Sequence, residues 1–268
     1  MASEEKIMDF KLRSRARNVQ YDAIKPGEYG DISGVVVRDR VDPWKDVQSN
    51  PVLEHILNLV MAWSSDRYRE AEFISAKSEF DLLMGKTTYD EVSFHPRMEY
   101  FQNYFCFQRP VMDAETAQGR TPFEDLLENS DAVSKLDLPV LAAIKKLREY
   151  RHSIFVIDKM TPDGFRVKDL FADQEKVFVK KNWQGMLTGY AKNSVLQGFI
   201  FPSGEDWELS SGVIEHSSSV KRWIGKRVKE SLKSRDHKPL NILSELARKH
   251  LNSTRWRHGD IVELYSRD

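Results

Sequence analysis

The period of the apolar residues changes twice along this chain, and that constrains the fold more than any other feature. Between residues 50 and 150 the apolar positions recur at helical spacing. From Ser153 the spacing shortens to two, and beyond residue 213 it lengthens again. A single β-rich interruption cannot supply the alternating strands and helices of a parallel sheet, so its strands must pair with one another. The expected class is α+β: a helical N-terminal region, a small antiparallel β-barrel-like module, then C-terminal helices. The boundaries read as 1–49, an N-terminal arm with a short strand at Val35 to Val37; 50–151, the helical region; 152–213, the barrel-like module; and 214–268, a basic C-terminal helical region with an edge strand over Asp260 to Tyr265.

Local signals fill in this outline. Ser3 to Val19 has scattered apolar residues and reads as a mobile end or docking arm. Asn50 and Pro51 are suited to start a helix bearing Val52, Leu53, Ile56, Leu57, Val60 and Trp63 on one face. Ser65 is suited to cap a second helix running to Met84, with Gly85 as its stop. Pro96 opens a third, which gathers Phe101, Tyr104, Phe105 and Phe107. Thr121-Pro122-Phe123-Glu124 carries both ends of a capping box, and Asp137 with Pro139 starts a helix over Val140 to Tyr150. Ser153 to Asp158, the Pro162-Asp163-Gly164 turn and Phe165 to Asp169 read as a hairpin. Short strands follow at Val177 to Val179, Met186 to Tyr190, Val195 to Phe201 and Trp207 to Leu209. Short strands in this number suit a partly closed barrel better than an open sheet with bare edges.

The order of an aromatic helix (Phe101 to Phe107), Gly119-Arg120-Thr121-Pro122-Phe123, a helix, Ser153-Ile154-Phe155-Val156 and Phe165-Arg166-Val167-Lys168-Asp169-Leu170-Phe171 resembles a group of bacterial cytoplasmic proteins over roughly residues 50 to 215. In that group a helical region precedes a small β module, and some members carry a C-terminal zinc knuckle of the SEC-C type. The knuckle needs several cysteines, and Cys106 is the single cysteine here. The resemblance implies a fold arrangement and a bacterial intracellular setting, with no activity attached.

Lysine plus arginine (41) equals aspartate plus glutamate (41) over 268 residues, so any attraction to polyanions must come from a local patch. A lone cysteine excludes an intramolecular disulfide and fits a reducing compartment, and the charged first twenty residues do not read as a signal peptide. The most apolar run, Val52 to Trp63, is too short for a membrane span. The expected location is cytoplasmic.

One surface carries a directional signal. On a helix, Arg222, Lys226, Lys229 and Lys233 fall in one stripe opposite Val220, Trp223, Ile224, Val228 and Leu232. Lys221, Arg227, Arg235 and Lys238 add to this charge against Glu230 and Asp236 alone, and Arg255-Trp256-Arg257 places an aromatic between cations. Such a stripe suits phosphates or an acidic protein surface, with an ordinary solvated face as the competing reading. Other motifs carry less. Gly85-Lys86-Thr87 lacks the earlier glycine of a phosphate loop, Phe80 standing in its place. His250, His258 and Asp260 match no metal-site spacing. Asp90, Glu91 and His95 contain the groups of an acid/base pair, and Cys106 among aromatics reads as an inert core thiol. No catalytic residue, metal ligand or cofactor is assigned. A non-enzymatic binding or regulatory module is therefore expected, its partner nucleic acid or an acidic protein. The alternative is a hydrolase-type enzyme with carboxylate and histidine chemistry in a cleft between the helical and β regions. Thr121→Ala should lower stability by about 1 kcal/mol, read from the denaturation midpoint, and an unchanged midpoint would exclude the cap.

Overall fold

The structure, a computed structural model, describes residues 42–112, 119–180, 190–234, 238–256 and 260–266. The arm at Ser3 to Val19, the strand at Val35 to Val37 and most of the strand expected over Met186 to Tyr190 lie outside them.

The helical region begins earlier than its apolar pattern. Asp42 accepts hydrogen bonds from the amides of Trp44 (3.1 Å) and Lys45 (3.4 Å), starting α1 (Pro43–Ser49) inside the stretch assigned to an arm. Asn50 therefore closes a helix, its amide donating to the Asp46 carbonyl, and α2 (Leu53–Arg67) starts after it. Ser65 likewise caps nothing. Its hydroxyl donates back to the Met61 carbonyl at 2.9 Å, which lets α2 run on before α3 (Glu70–Met84) begins. The next helix, α4 (Phe94–Phe107), holds Pro96 as its third residue, where a missing amide costs no intrahelical bond. The capping box at α5 (Pro122–Glu128) is present. Glu124 N–H donates to Thr121 Oγ1 (3.3 Å), and Thr121 N–H to Glu124 Oε2 (2.8 Å). After α6 (Ser130–Val133) and α7 (Leu138–Lys146), a 3-10 turn at Leu147–Glu149 leads into the strands.

Six strands follow: β1 (Arg151–Thr161), β2 (Gly164–Asp169), β3 (Lys176–Lys180), β4 (Val195–Ser203), β5 (Asp206–Leu209) and β6 (Ile214–His216). Their order is β1-β2-β3-β5-β4, and β4 pairs again with β1, closing a five-stranded barrel. The β6 strand lies outside the ring, paired with Val195–Gln197 of β4. Pairing is antiparallel except at one seam, Val179 beside Trp207, where β3 and β5 run parallel. It is a small closed five-stranded barrel of mixed pairing. A bulge in β1 sets Asp158 between Lys168 (3.4 Å) and Lys176 (3.0 Å). Phe155, Ile157, Phe165, Val167, Val179, Leu196 and Ile200 pack together as the barrel's own core.

The other face of the strands meets the helices. Phe199 and Phe201 of β4 enter the aromatic core of the helical region, where Phe107 lies 4.8 Å from Phe201 and 4.7 Å from Phe123. Gly212 sits against α4 so closely that a Cβ there would stand 2.2 Å from the Tyr100 amide nitrogen. On the C-terminal side, α8 (Lys221–Lys233) and α9 (Pro239–Arg255) cover Ile154, Val156 and Val195 with Ile224, Val228, Ile242, Leu243 and Leu246. The expected edge strand at Asp260 to Tyr265 is instead a helix, α10 (Ile261–Ser266). Asp260 accepts from Val262 N–H at 2.8 Å, and the turn buries Tyr265 against Trp223 and His216. The β signal there came from two adjacent branched residues, and capping plus one buried aromatic outweighs them.

Where the three parts meet, a directed chain of hydrogen bonds is buried. Gln197 on β4 accepts at Oε1 from His216 Nε2 (3.1 Å) and donates from Nε2 to Tyr100 Oη (2.9 Å) and the Leu243 carbonyl (2.8 Å). His216 must then accept at Nδ1 from Tyr265 Oη (2.8 Å). Tyr100 in turn donates to His152 Nε2 (2.5 Å), leaving His152 Nδ1–H to donate to Gln108 Oε1. Both histidines are neutral in this chain. Burial drives His152 down to about 3 and His216 well below its ordinary value. Burial, then nearby Arg97, takes His250 to about 4.

Because these pKa values are lower in the folded chain than the unfolded value near 6.5, the unfolded state binds more protons at mildly acid pH. Stability should be full above about pH 6.5 and fall steadily from there toward pH 4, with two to three protons taken up on unfolding. Urea midpoints measured from pH 7.5 to 4.5 test this. A flat profile between pH 7 and 5 would mean that the histidines are not held neutral.

Candidate functional site

Helix α8 is amphipathic at high contrast. Ile224 and Val228 are buried, Trp223 lies against Tyr265, and Arg222, Lys226, Lys229 and Lys233 are all exposed on the far side. At about 1.5 Å of rise per residue the four cations span about 16 Å. Among the described residues only Lys226 of the four has a carboxylate in reach, Glu230 at 3.8 Å across exposed side chains, a pair worth little. Arg222, Lys229 and Lys233 form no ion pair with any described residue. From Lys221 to Trp256 the sequence has eleven lysines and arginines against three acids, within a chain that is neutral overall.

Four of the barrel's cations are paired. Lys168 and Lys176 share Asp158, Lys180 pairs with Glu208 (3.1 Å), and Arg151 pairs with Glu175 (2.8 Å) while its guanidinium lies 4.7 Å from the Trp207 ring centroid. These charges are locally neutralised. Lys159 and Arg166, exposed on β1 and β2, form no ion pair with any described residue either, so α8 is distinguished by having its unneutralised cations aligned in one row.

Beside α8 runs a groove of about 570 Å³ lined by Glu245, Arg248, Lys249, Asn252, Arg255, Trp256 and Leu264. Two contacts join it to α8: Arg227 Nη2 to Glu245 (3.0 Å), and Lys249 Nζ over the Trp223 ring at 5.3 Å. Arg255, expected among the binding cations, is already engaged. It pairs with Glu91 at 2.7 Å and donates to the Lys86 carbonyl at 2.6 Å, and that pairing holds the Glu91 carboxyl down at about 2. Trp256 is half-exposed at the end of α9. Arg257 lies outside the described residues. The sequence reading missed Arg248, Lys249 and Asn252, although they follow Glu245 at i+3, i+4 and i+7 and so mark the polar face opposite Ile242, Leu243 and Leu246.

The remaining motifs resolve as structure. Gly85 ends α3 with φ +92°, its amide donating to Asp81. Glu91, from the suspected acid/base group, is spent on Arg255 and Thr88. Burial pushes the Cys106 thiol up, and it lies 3.1 Å from Met61 Sδ. His258 lies outside the described residues, among which no three His, Cys, Asp or Glu side chains gather to hold a metal. Among the same residues no helix is long and apolar enough to cross a membrane. A second cavity, of about 350 Å³, lies at the start of α8 between Lys192, Ser194, Glu215 and Ser217.

Comparison with known proteins gives no match to any family model, to any curated protein or to any solved structure.

Changing Arg222, Lys226, Lys229 and Lys233 together to glutamine should leave the unfolding midpoint nearly in place, since exposed substitutions stay within about 0.5 kcal/mol each. Ile224→Asp, by contrast, should cost about 3 kcal/mol by burying a carboxylate without a partner. Equal effects of the two changes on thermal denaturation would mean that the stripe, too, is structural.

Proposed function

We propose that this chain is a non-enzymatic nucleic-acid-binding module whose contact surface is the exposed face of α8. The observation that carries the reading is the alignment of Arg222, Lys226, Lys229 and Lys233 in one exposed row on a single helix, with one weak carboxylate contact, Lys226 to Glu230, among the described residues. Lysine and arginine in a row about 16 Å long suit a phosphate backbone, because each contact releases condensed counterions. Contacts from this row to phosphates carry no base information, so binding through them is indifferent to sequence. The barrel acts as the scaffold that holds α8 outward through Ile224 and Val228. A cytoplasmic setting accords with the single cysteine, Cys106, which is buried.

The test is filter binding to a duplex of arbitrary sequence at several salt concentrations. Log affinity should fall with log salt at about −0.9 per phosphate neutralised, and the fourfold glutamine variant should flatten that slope by about three to four units. Absence of binding by the wild type at low salt, or an unchanged slope in the variant, would overturn the reading. Salt-dependent binding to a polyglutamate peptide but not to nucleic acid would move the same face to an acidic protein partner.

A further inference from the structure

We infer that the groove between α9 and α10 receives an unpaired base of a single-stranded nucleic acid, stacked on Trp256, while the neighbouring α8 face holds the backbone. This rests on the reading of α8 just given and specifies which form of nucleic acid the surface takes. Three observations converge. The groove, about 570 Å³, is concave and of the size that encloses a small planar group, whereas a duplex presents a broad convex surface. Its lining joins an indole and Leu264 to the side chains of Arg248, Lys249 and Asn252, so an apolar face, cations and an amide able both to donate and to accept meet at one place. The groove is also continuous with α8 through the Arg227–Glu245 pair and through Lys249 over Trp223, so a strand tracking along α8 reaches it without leaving the protein surface.

The chemistry follows from these parts. Every base has a π-face, and stacking on an exposed aromatic is tolerant of sequence. In a duplex both faces are already covered by neighbouring bases, so Trp256 has nothing to stack on. The Asn252 amide matches the mixed donor and acceptor edge of a base. Arg255, tied to Glu91 and Lys86, fixes the end of α9 and hence the position of the adjoining Trp256.

Fluorescence anisotropy with labelled 12-nucleotide single strands, and with duplexes of the same length, separates the outcomes. Wild type should prefer the single strand. Trp256→Ala should weaken single-strand binding about tenfold, which corresponds to about 1.4 kcal/mol and lies within the usual range for one stacked base, without changing the salt slope or the duplex affinity. Trp256→Phe should recover most of the loss and guards against a folding defect in the alanine variant, with the thermal midpoint of each measured alongside. If Trp256→Ala leaves single-strand affinity unchanged, or lowers single-strand and duplex affinity equally, while the fourfold glutamine variant still flattens the salt slope, the groove is not a base site and the α8 reading stands. If the wild type binds neither form, both fall.

Discussion

Gln197 is the side chain on which the three parts of the molecule depend. It is fully buried on β4, and its amide is used to capacity: both N–H bonds and the carbonyl have partners, and these belong to α4, β6 and α9 in turn. Hydrogen bonds in such a setting contribute modestly when made, but leaving the Tyr100 hydroxyl, the His216 ring and the Leu243 carbonyl short of a partner costs much more. An apolar residue of the same size at 197 would fit the space and break the junction. The direction imposed by the amide also decides the tautomers of His152 and His216, so one residue sets the protonation pattern of its whole surroundings.

A second junction sits at the C-terminal end of α3. Arg97, buried, donates to the Met84 and Ala247 carbonyls, Arg248 to the Leu83 carbonyl (2.8 Å), and Arg255 to the Lys86 carbonyl. Carbonyls that end a helix lack intrahelical donors and carry the negative end of its dipole, which is where guanidinium groups are best placed. Three of the chain's arginines thus tie α3 to α4 and α9, whereas Arg222, Lys226, Lys229 and Lys233 on α8 take no such part. A count of basic residues does not reveal this division; their partners do.

The architecture was legible because it follows from period: a strand-rich run between helical runs forces a small barrel flanked by helices. The capping box at Thr121 was legible because both of its ends lie within four residues. The failures at Asn50, Ser65 and Asp260 share a cause. Each is a small polar residue that can end, continue or begin a helix according to which neighbours bury, and burial is decided by segments far away in sequence. The α8 stripe was legible because an exposed face needs only local spacing. The commitment of Arg255 to Glu91 was not, since 164 residues separate the pair. The buried chain through Tyr100, His152, Gln197 and His216 left no trace in periodicity, because polar residues at apolar positions look like noise until their partners are known.

The long sequence separations across the α3–α9 contact bear on how the chain reaches this structure during synthesis. Met84 and Leu83 wait for Arg97 and Arg248, and the second of these is 165 residues further on. At about 5–20 residues per second a ribosome adds that length in roughly 8–30 s, far longer than hydrophobic collapse takes. Throughout that interval α3 and α4 exist without α9, with the face that Ala247 and Leu240 later cover open to other chains. The nascent helical region is therefore the state of this protein most exposed to aggregation, and the arrival of α9 marks its end.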